Sequence, residues 1–402
     1  MYPASWHGVR VTEDAVLILV AGGLLAAGVL AQLVAAWLRL PALVLFLGLG
    51  MLIGTDGLGW IDFEDYELAR LCGSIALILI LFEGGLAAGF AKIRPVLRPA
   101  VSLASLGTIG TAAVVGLAAA FLFDFSVLEG LLLGAILSGT DGAAVFALLR
   151  GSRLRPDLAS TLEGEAGFND PIAVLLVLAL IGLITRPDYG ALDILLFFGR
   201  ELGLGVLIGV AVGGLGVVCL EALGRAPAAL NLVGSLATAA IAFGAAGALH
   251  GSGFLAVYLA GLALGSAELP GRPSIDAFHE GLAAVAEIGM FFAFGLLVFP
   301  SQLDSILLEG SLLALVVAFV ARPLAAAAAT AFEPFSPGDR LLLGWTGLRG
   351  AVPVVLATFP VIEDIPRSLE FFNIVFFAVL VSTLIQGGTV ETLANRVGAT
   401  ER

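Results

Sequence analysis

The stretch Glu163-Gly164-Glu165-Ala166-Gly167-Phe168-Asn169-Asp170-Pro171 sets three carboxylates and a carboxamide directly ahead of the apolar run Ile172 to Ile184. A carboxylate at hydrocarbon depth costs roughly 2.5–3.5 kcal/mol on insertion scales, so acids in such a run mark an ion or proton path. Asp170 is the first candidate for the centre of that path. Carboxylate and carbonyl oxygens are hard ligands suited to alkali cations, and no His/Cys cluster points to a transition metal. One carboxylate that holds either a proton or a cation makes the two compete, and exchange then needs no further device.

The elements around this stretch follow from composition. The 402 residues are 59% hydrophobic and 13% charged, with a mean hydropathy of +1.07. A soluble globular chain is about a quarter charged, so this is an all-α polytopic membrane protein: lipid offers the backbone no hydrogen-bond partners, and the long apolar runs must be helices. Strand-like alternation is absent, which excludes a β-barrel. Thirteen spans are predicted, at 15–38, 41–55, 70–90, 96–123, 127–149, 158–185, 191–223, 229–249, 252–267, 281–299, 303–332, 338–361 and 368–393. No signal peptide precedes the first. Cys72 and Cys219 fall inside apolar runs and are expected to be packing residues rather than a disulfide.

Charge gives the orientation. Alternate loops collect Arg39; Lys92, Arg94 and Arg98; Arg150, Arg153 and Arg155; Arg225; Arg272; Arg340; and Arg396 and Arg402, twelve of the nineteen cations. The intervening loops hold only Arg10, Arg70, Arg186 and Arg367. The positive-inside rule puts the N-terminus outside and the C-terminus in the cytoplasm, an arrangement that needs an odd number of spans. Acids such as Asp56, Asp62, Glu64 and Asp65 gather on the outer loops; they either concentrate cations there or are ordinary solvated surface.

A second feature is a pair of interrupted helices. Ser138-Gly139-Thr140-Asp141-Gly142-Ala143 and Thr346-Gly347-Leu348-Arg349-Gly350-Ala351 are Gly-rich, carry one charge each and lie in opposite halves of the chain. Matching breaks in two halves point to a transporter's midplane site. Unwound helix ends leave free N–H and C=O groups with about half a unit charge at each end. Asp141 can neutralise N-terminal ends and Arg349 C-terminal ends, which makes both structural; alternatively Asp141 binds the ion directly, with Thr140 supplying an oxygen.

Thr140-Asp141, Glu165-x-x-x-Asn169-Asp170 and Gly347-Leu348-Arg349-Gly350-Ala351-Val352, in that order, resemble the monovalent cation:proton antiporter-1 family, the NhaP-type sodium or potassium/proton exchangers. Thr161-Leu162-Glu163-Gly164-Glu165, Ile288-Gly289-Met290 and Leu356-Ala357-Thr358-Phe359-Pro360 are most similar to its bacterial potassium/proton, cell-volume-regulation branch. The resemblance implies an NhaA/NhaP-like fold of inverted repeats with two crossed, unwound helices. Residues 1–402 would form one antiporter domain of interleaved core and dimerisation parts, working as a homodimer by elevator-like alternating access in a bacterial or archaeal plasma membrane. It implies K+ or Na+ exchanged for H+, with no enzyme activity, no cofactor beyond the transported ions and no nucleic-acid partner.

Carried over by position, Asp170 would bind cation or proton. Asn169 would hold the site in place of a second aspartate, giving one proton per cation; Thr140 would offer an oxygen, Asp141 would steady the crossed helices, and Glu165 would assist ion binding or pair with Arg322. Two departures stand out: Ala166 occupies the position of a usual hydroxyl ligand, which leaves K+ against Na+ open, and the branch normally continues into C-terminal cytosolic regulatory domains whereas this sequence stops at Arg402. The expectation is a transport domain alone, either a part of a longer chain or a short variant.

Glu83 and Arg322 lie deep enough to need partners and are expected to be structural charges, like Arg349. Glu163 suits either a cytoplasmic funnel or a helix N-terminal charge. His7, His250 and His279 are expected at loops or boundaries. A cation channel, or an ion-binding sensor on a transporter fold, is the rival reading, separated from exchange by proton-coupled flux.

Overall fold

The computed structural model describes residues 6–38, 41–142, 145, 154–224 and 227–400. Among them the secondary structure is helical, apart from an isolated bridge between Leu154 and Thr400. Ala143 and Ala144 of the first break, most of the second half of the 127–149 span, and Arg39, Arg150, Arg153, Arg225 and Arg402 lie outside the described residues.

In chain order the α-helices of six or more residues among those described are α1 (Trp6–Leu38), α2 (Ala42–Ile53), α3 (Tyr66–Ile93), α4 (Leu97–Ser102), α5 (Thr108–Leu122), α6 (Val127–Ile136), α7 (Pro156–Thr185), α8 (Ala191–Ala222), α9 (Ala228–Ala248), α10 (Gly253–Ser266), α11 (Arg272–Leu296), α12 (Leu307–Val316), α13 (Arg322–Ala329), α14 (Pro337–Trp345), α15 (Ala351–Ile362), α16 (Ser368–Ser382) and α17 (Val390–Arg396). Eight continuous helical stretches among the described residues are long and apolar enough to cross a membrane. Four shorter apolar helices, α2, α6, α10 and α15, join them. The longest stretch, Tyr66–Leu122, turns at Gly89 (φ 64°, ψ 149°). There a side chain would be strained by the left-handed backbone and would meet the carbonyl of Gly265.

Several predicted spans prove to be composite. The 96–123 run is α4 and α5 joined by a π-helical segment, Leu103–Gly107; the 303–332 run is α12 and α13 joined by another, Val317–Ala321; and the 338–361 run is α14 and α15 with a gap between them. The 281–299 run starts earlier, at Arg272, because its polar first turns weaken the apolar signal.

The two halves repeat one another element by element. A 3-10 turn at Arg94–Val96 leads into α4, a π segment, α5, and then α6 under a capping box in which Ser126 and Glu129 satisfy each other's backbone N–H groups. A 3-10 turn at Asp304–Ile306 leads into α12, a π segment, α13, and then α14 under the same capping box from Ser336 and Asp339. Such a box meets two of the N–H groups that a helix start leaves open. Ser126 and Ser336 stand 210 residues apart, as do Arg94 and Asp304, and each short capped helix stops at one of the two Gly-rich breaks.

The two largest apolar clusters among the described residues hold most of the bundle. One gathers side chains of α2, α3, α5–α7, α11–α12 and α15–α16; the other joins α8, α9 and α10 to Phe82 and Leu86 of α3. Gly85 and Gly261 let α3 and α10 touch backbone to backbone, since a Cβ on Gly85 would lie 2.5 Å from the Tyr258 carbonyl. The outer surface is apolar, with Leu195, Leu207 and Val218 of α8 exposed, as lipid-facing helices require. Cys72 and Cys219 are also on that surface, so the expectation that they pack inside is corrected: an apolar run in a membrane protein has a lipid face as well as a buried one.

Candidate functional site

The two breaks meet. Residues 137–141, after α6, and 346–350, between α14 and α15, are non-helical, and the backbone N–H of Asp141 donates to the Leu348 carbonyl at 2.8 Å. Arg349 Nη1 donates to the carbonyls of Ser138 (3.0 Å) and Gly139 (2.7 Å), just past the end of α6. The guanidinium thus covers carbonyls that the unwound turn leaves open, at the end of the helix dipole that favours a cation. Asp141 lies reciprocally against Gly350, the N-cap of α15, where any Cβ would overlap its carboxylate. A negative group is stabilised at that helix end.

Break two has its own tethers. Thr383 Oγ1 donates to the Arg349 carbonyl at 2.9 Å and Gln386 Nε2 to the Trp345 carbonyl at 3.0 Å. Both side chains come from the π-helical segment Thr383–Gly387. The sequence reading missed them; the signal was two amide or hydroxyl groups three residues apart inside an apolar run.

Asn169 and Asp170 enter from α7 and are fully buried. Asn169 Nδ2 donates to Thr140 Oγ1 of the first break, which ties α7 to the unwound turn. Pro171 follows inside the helix; lacking an N–H, it leaves the Gly167 carbonyl without its usual helical donor. Asp170 Oδ1 has no hydrogen-bond partner among the described residues, and neither does Asn169 Oδ1. Asp141 is near enough to Asp170 for the two carboxylates to act on one another. The result is a buried cluster of acceptor oxygens, where an ionised carboxylate without a compensating charge is costly.

The buried cations are engaged elsewhere. Arg322 pairs with Glu165, Nη2 to Oε1 at 2.5 Å, with both side chains shielded, and donates to the Leu343 carbonyl at 3.3 Å. Arg349 serves the first break. Among the described residues, three buried acids, Asp141, Glu165 and Asp170, and two buried arginines, Arg322 and Arg349, gather around the meeting point. Glu83 is buried in α3 and partnered. Glu163 is half-buried about two turns before Asp170 on α7, and its carbonyl accepts from Tyr258 Oη at 3.4 Å.

Among the described residues no group of three His, Cys, Asp or Glu side chains forms a metal cluster. His279 is a correction: it is fully buried within α11, with Nε2 2.8 Å from Ser235 Oγ, rather than at a boundary. His250 does occupy a turn, with φ 58°.

An all-helical membrane bundle whose two broken helices meet at a buried carboxylate has the architecture of a secondary transporter. Residues 23–396 match the model of the family described as sodium/hydrogen exchanger, transmembrane, and the chain belongs to that family. It is 42% identical over 377 residues to the K(+)/H(+) antiporter NhaP2 of Shewanella sp. (strain MR-4), covering 93% of this chain and 66% of that protein. It is equally 42% identical over 381 residues to the K(+)/H(+) antiporter NhaP of Alkalimonas amylolytica, covering 94% and 66%. The chain therefore spans just under two thirds of the length of these relatives. The solved structure of the sodium proton antiporter MjNhaP1 from Methanocaldococcus jannaschii at pH 8 superposes with a TM-score of 0.80 at 24% identity, covering 95% of this chain and 99% of that one; this likeness concerns the fold.

Proposed function

We propose that this protein exchanges a monovalent cation, K+ or Na+, for H+ across the membrane, one for one, with Asp170 as the shared site. The observation that carries the reading is the buried Asp170 carboxylate, whose Oδ1 has no hydrogen-bond partner among the described residues, while Arg322 pairs with Glu165 and Arg349 donates to the first break. One such carboxylate takes either a proton or a cation, and each must leave before the other enters.

In this scheme Asn169 and Thr140 hold the unwound turn against α7, and the carbonyls of the break, together with the freed Gly167 carbonyl, complete an oxygen shell for a partly dehydrated cation. Ala166 contributes no oxygen. Asp141 and Arg349 keep the half-helices in register, and Glu165 with Arg322 is a structural pair. Because Asn169 is neutral, a single charge is carried in each direction and the cycle is electroneutral. The relatives named as K(+)/H(+) antiporters favour K+.

The finer architecture belongs to the same proposal. Thirteen spans result when Tyr66–Leu122 is counted as two and each of the four shorter apolar helices as one. The repeated halves, offset by seven spans in the predicted series (the fourth, 96–123, against the eleventh, 303–332), run in opposite directions as inverted repeats. The chain acts as one antiporter domain in a homodimer, in a bacterial or archaeal plasma membrane with the N-terminus outside.

Acid-loaded proteoliposomes test the exchange. Adding K+ or Na+ should dissipate the pH gradient at the same rate with the membrane voltage clamped at zero or at a negative value. Cation flux without proton movement would establish a channel instead, and no response from folded protein a sensor.

A further inference from the structure

A groove of about 460 Å³ opens on the lipid-facing side of α13 and α14, beside the second π segment, lined by Phe319, Val320, Pro323, Leu324, Leu341 and Arg340. Its walls are apolar and open to the membrane: Phe319, Val320, Leu324 and Leu341 are all exposed. From Phe319 to Ala327 the wall rises about 12 Å at helical pitch, most of the roughly 15 Å depth of one leaflet. Arg340 is the one polar side chain that lines it. Arg340 Nη2 donates to the carbonyls of Ala331 and Glu333, each at 3.2 Å, while Nε has no hydrogen-bond partner among the described residues.

The neighbouring carboxylates are already taken. Glu333 pairs with Arg98 at 3.0 Å and Asp339 with Arg155 at 3.1 Å, and among the described residues Arg340 has no acidic side chain opposite it. A cation without a carboxylate, above an apolar slot one acyl chain deep, is complementary to an anionic phospholipid.

We propose that this groove binds one anionic phospholipid, its phosphate against the Arg340 guanidinium and an acyl chain along Phe319, Pro323 and Leu324. The occupant would brace the helix at its weakest point, where the π segment Val317–Ala321 gives way to Arg322 and Pro323. Arg322 on the opposite face pairs with Glu165, so the lipid would steady the charge network from outside without touching the ion site.

The test is the thermal midpoint of the detergent-purified protein titrated with phosphatidylglycerol, or with phosphatidylcholine of the same chains. Phosphatidylglycerol should stabilise at about fivefold lower concentration, the preference expected of one cation near a membrane surface. Arg340→Gln should abolish that preference, Arg340→Lys should keep most of it, and Leu324→Trp, which fills the slot from its lipid face, should weaken both lipids. Equal response to the two lipids, or a full preference surviving in Arg340→Gln, overturns the proposal. If Arg340→Gln does not fold, an undiminished preference in Leu324→Trp overturns it, as does a stabilisation reproduced by glycerol 3-phosphate alone.

Discussion

The ion pair between Glu165 and Arg322 sets the energetic scale of the site. Removing one member leaves the other charged and shielded, so Glu165→Gln should cost about 3–5 kcal/mol of stability, whereas the double change Glu165→Leu with Arg322→Met should recover most of it; thermal midpoints check both, and equal losses would show that the pair does more than compensate charge. Thr140→Val removes the acceptor for Asn169 Nδ2 and strands a buried donor, at about 1–3 kcal/mol. Transport should fall with it and return in Thr140→Ser. Asp170, Asn169 and Thr140 were legible in the sequence because charge and amide groups stand out sharply in an apolar run. Thr383 and Gln386 were not, since an uncharged polar side chain in such a run ordinarily bonds its own helix. His279 was placed at a boundary because Arg272, Asp276 and Glu280 disguise the first turns of α11 as loop.

At the scale of elements, the two breaks depend on the absence of a side chain at Gly350, where a Cβ would overlap the Asp141 carboxylate. Gly350→Ala should therefore force the breaks apart and lower folded yield, measured by size-exclusion chromatography; normal yield and exchange would mean that Asp141 can move aside. Outside the membrane, Asp56 accepts a hydrogen bond from the backbone N–H of Ser301 at 2.7 Å, which holds its carboxyl below the ordinary 3.8 and fastens the end of α2 to the turn before α12. A depressed folded value stabilises above the unfolded one, so this clasp should be present at neutral pH and lost as pH falls through the lowered value. The difference in thermal midpoint between Asp56→Asn and the parent should accordingly shrink towards zero in acid, and a difference independent of pH would argue against it. The apolar runs gave away where helices lie but not how they are wound. The π segments at 103–107 and 317–321 are as apolar as the α-helix around them, so hydropathy does not mark them, and the segment at 383–387 differs only by Thr383 and Gln386, whose partners lie on distant elements.

For the whole molecule, the repeat of 3-10 turn, π segment and capped short helix in two halves accounts for there being two breaks: one folding pattern, used twice, ends each time at a Gly-rich interruption. The charged residues of the breaks were readable in sequence; the repeated winding was not, because hydropathy is blind to it. Sidedness is testable in a variant without Cys72 and Cys219. Asp62→Cys should react with an impermeant maleimide on intact cells and Arg98→Cys only after permeabilisation, and the reverse pattern would invert the orientation. The most direct test of the central claim is exchange by Asp170→Asn in proteoliposomes, from protein whose thermal midpoint and oligomeric mass match the parent. The account predicts that adding K+ or Na+ leaves the imposed pH gradient intact in this variant and collapses it in the parent; cation-dependent collapse at an undiminished rate would remove Asp170 from the mechanism.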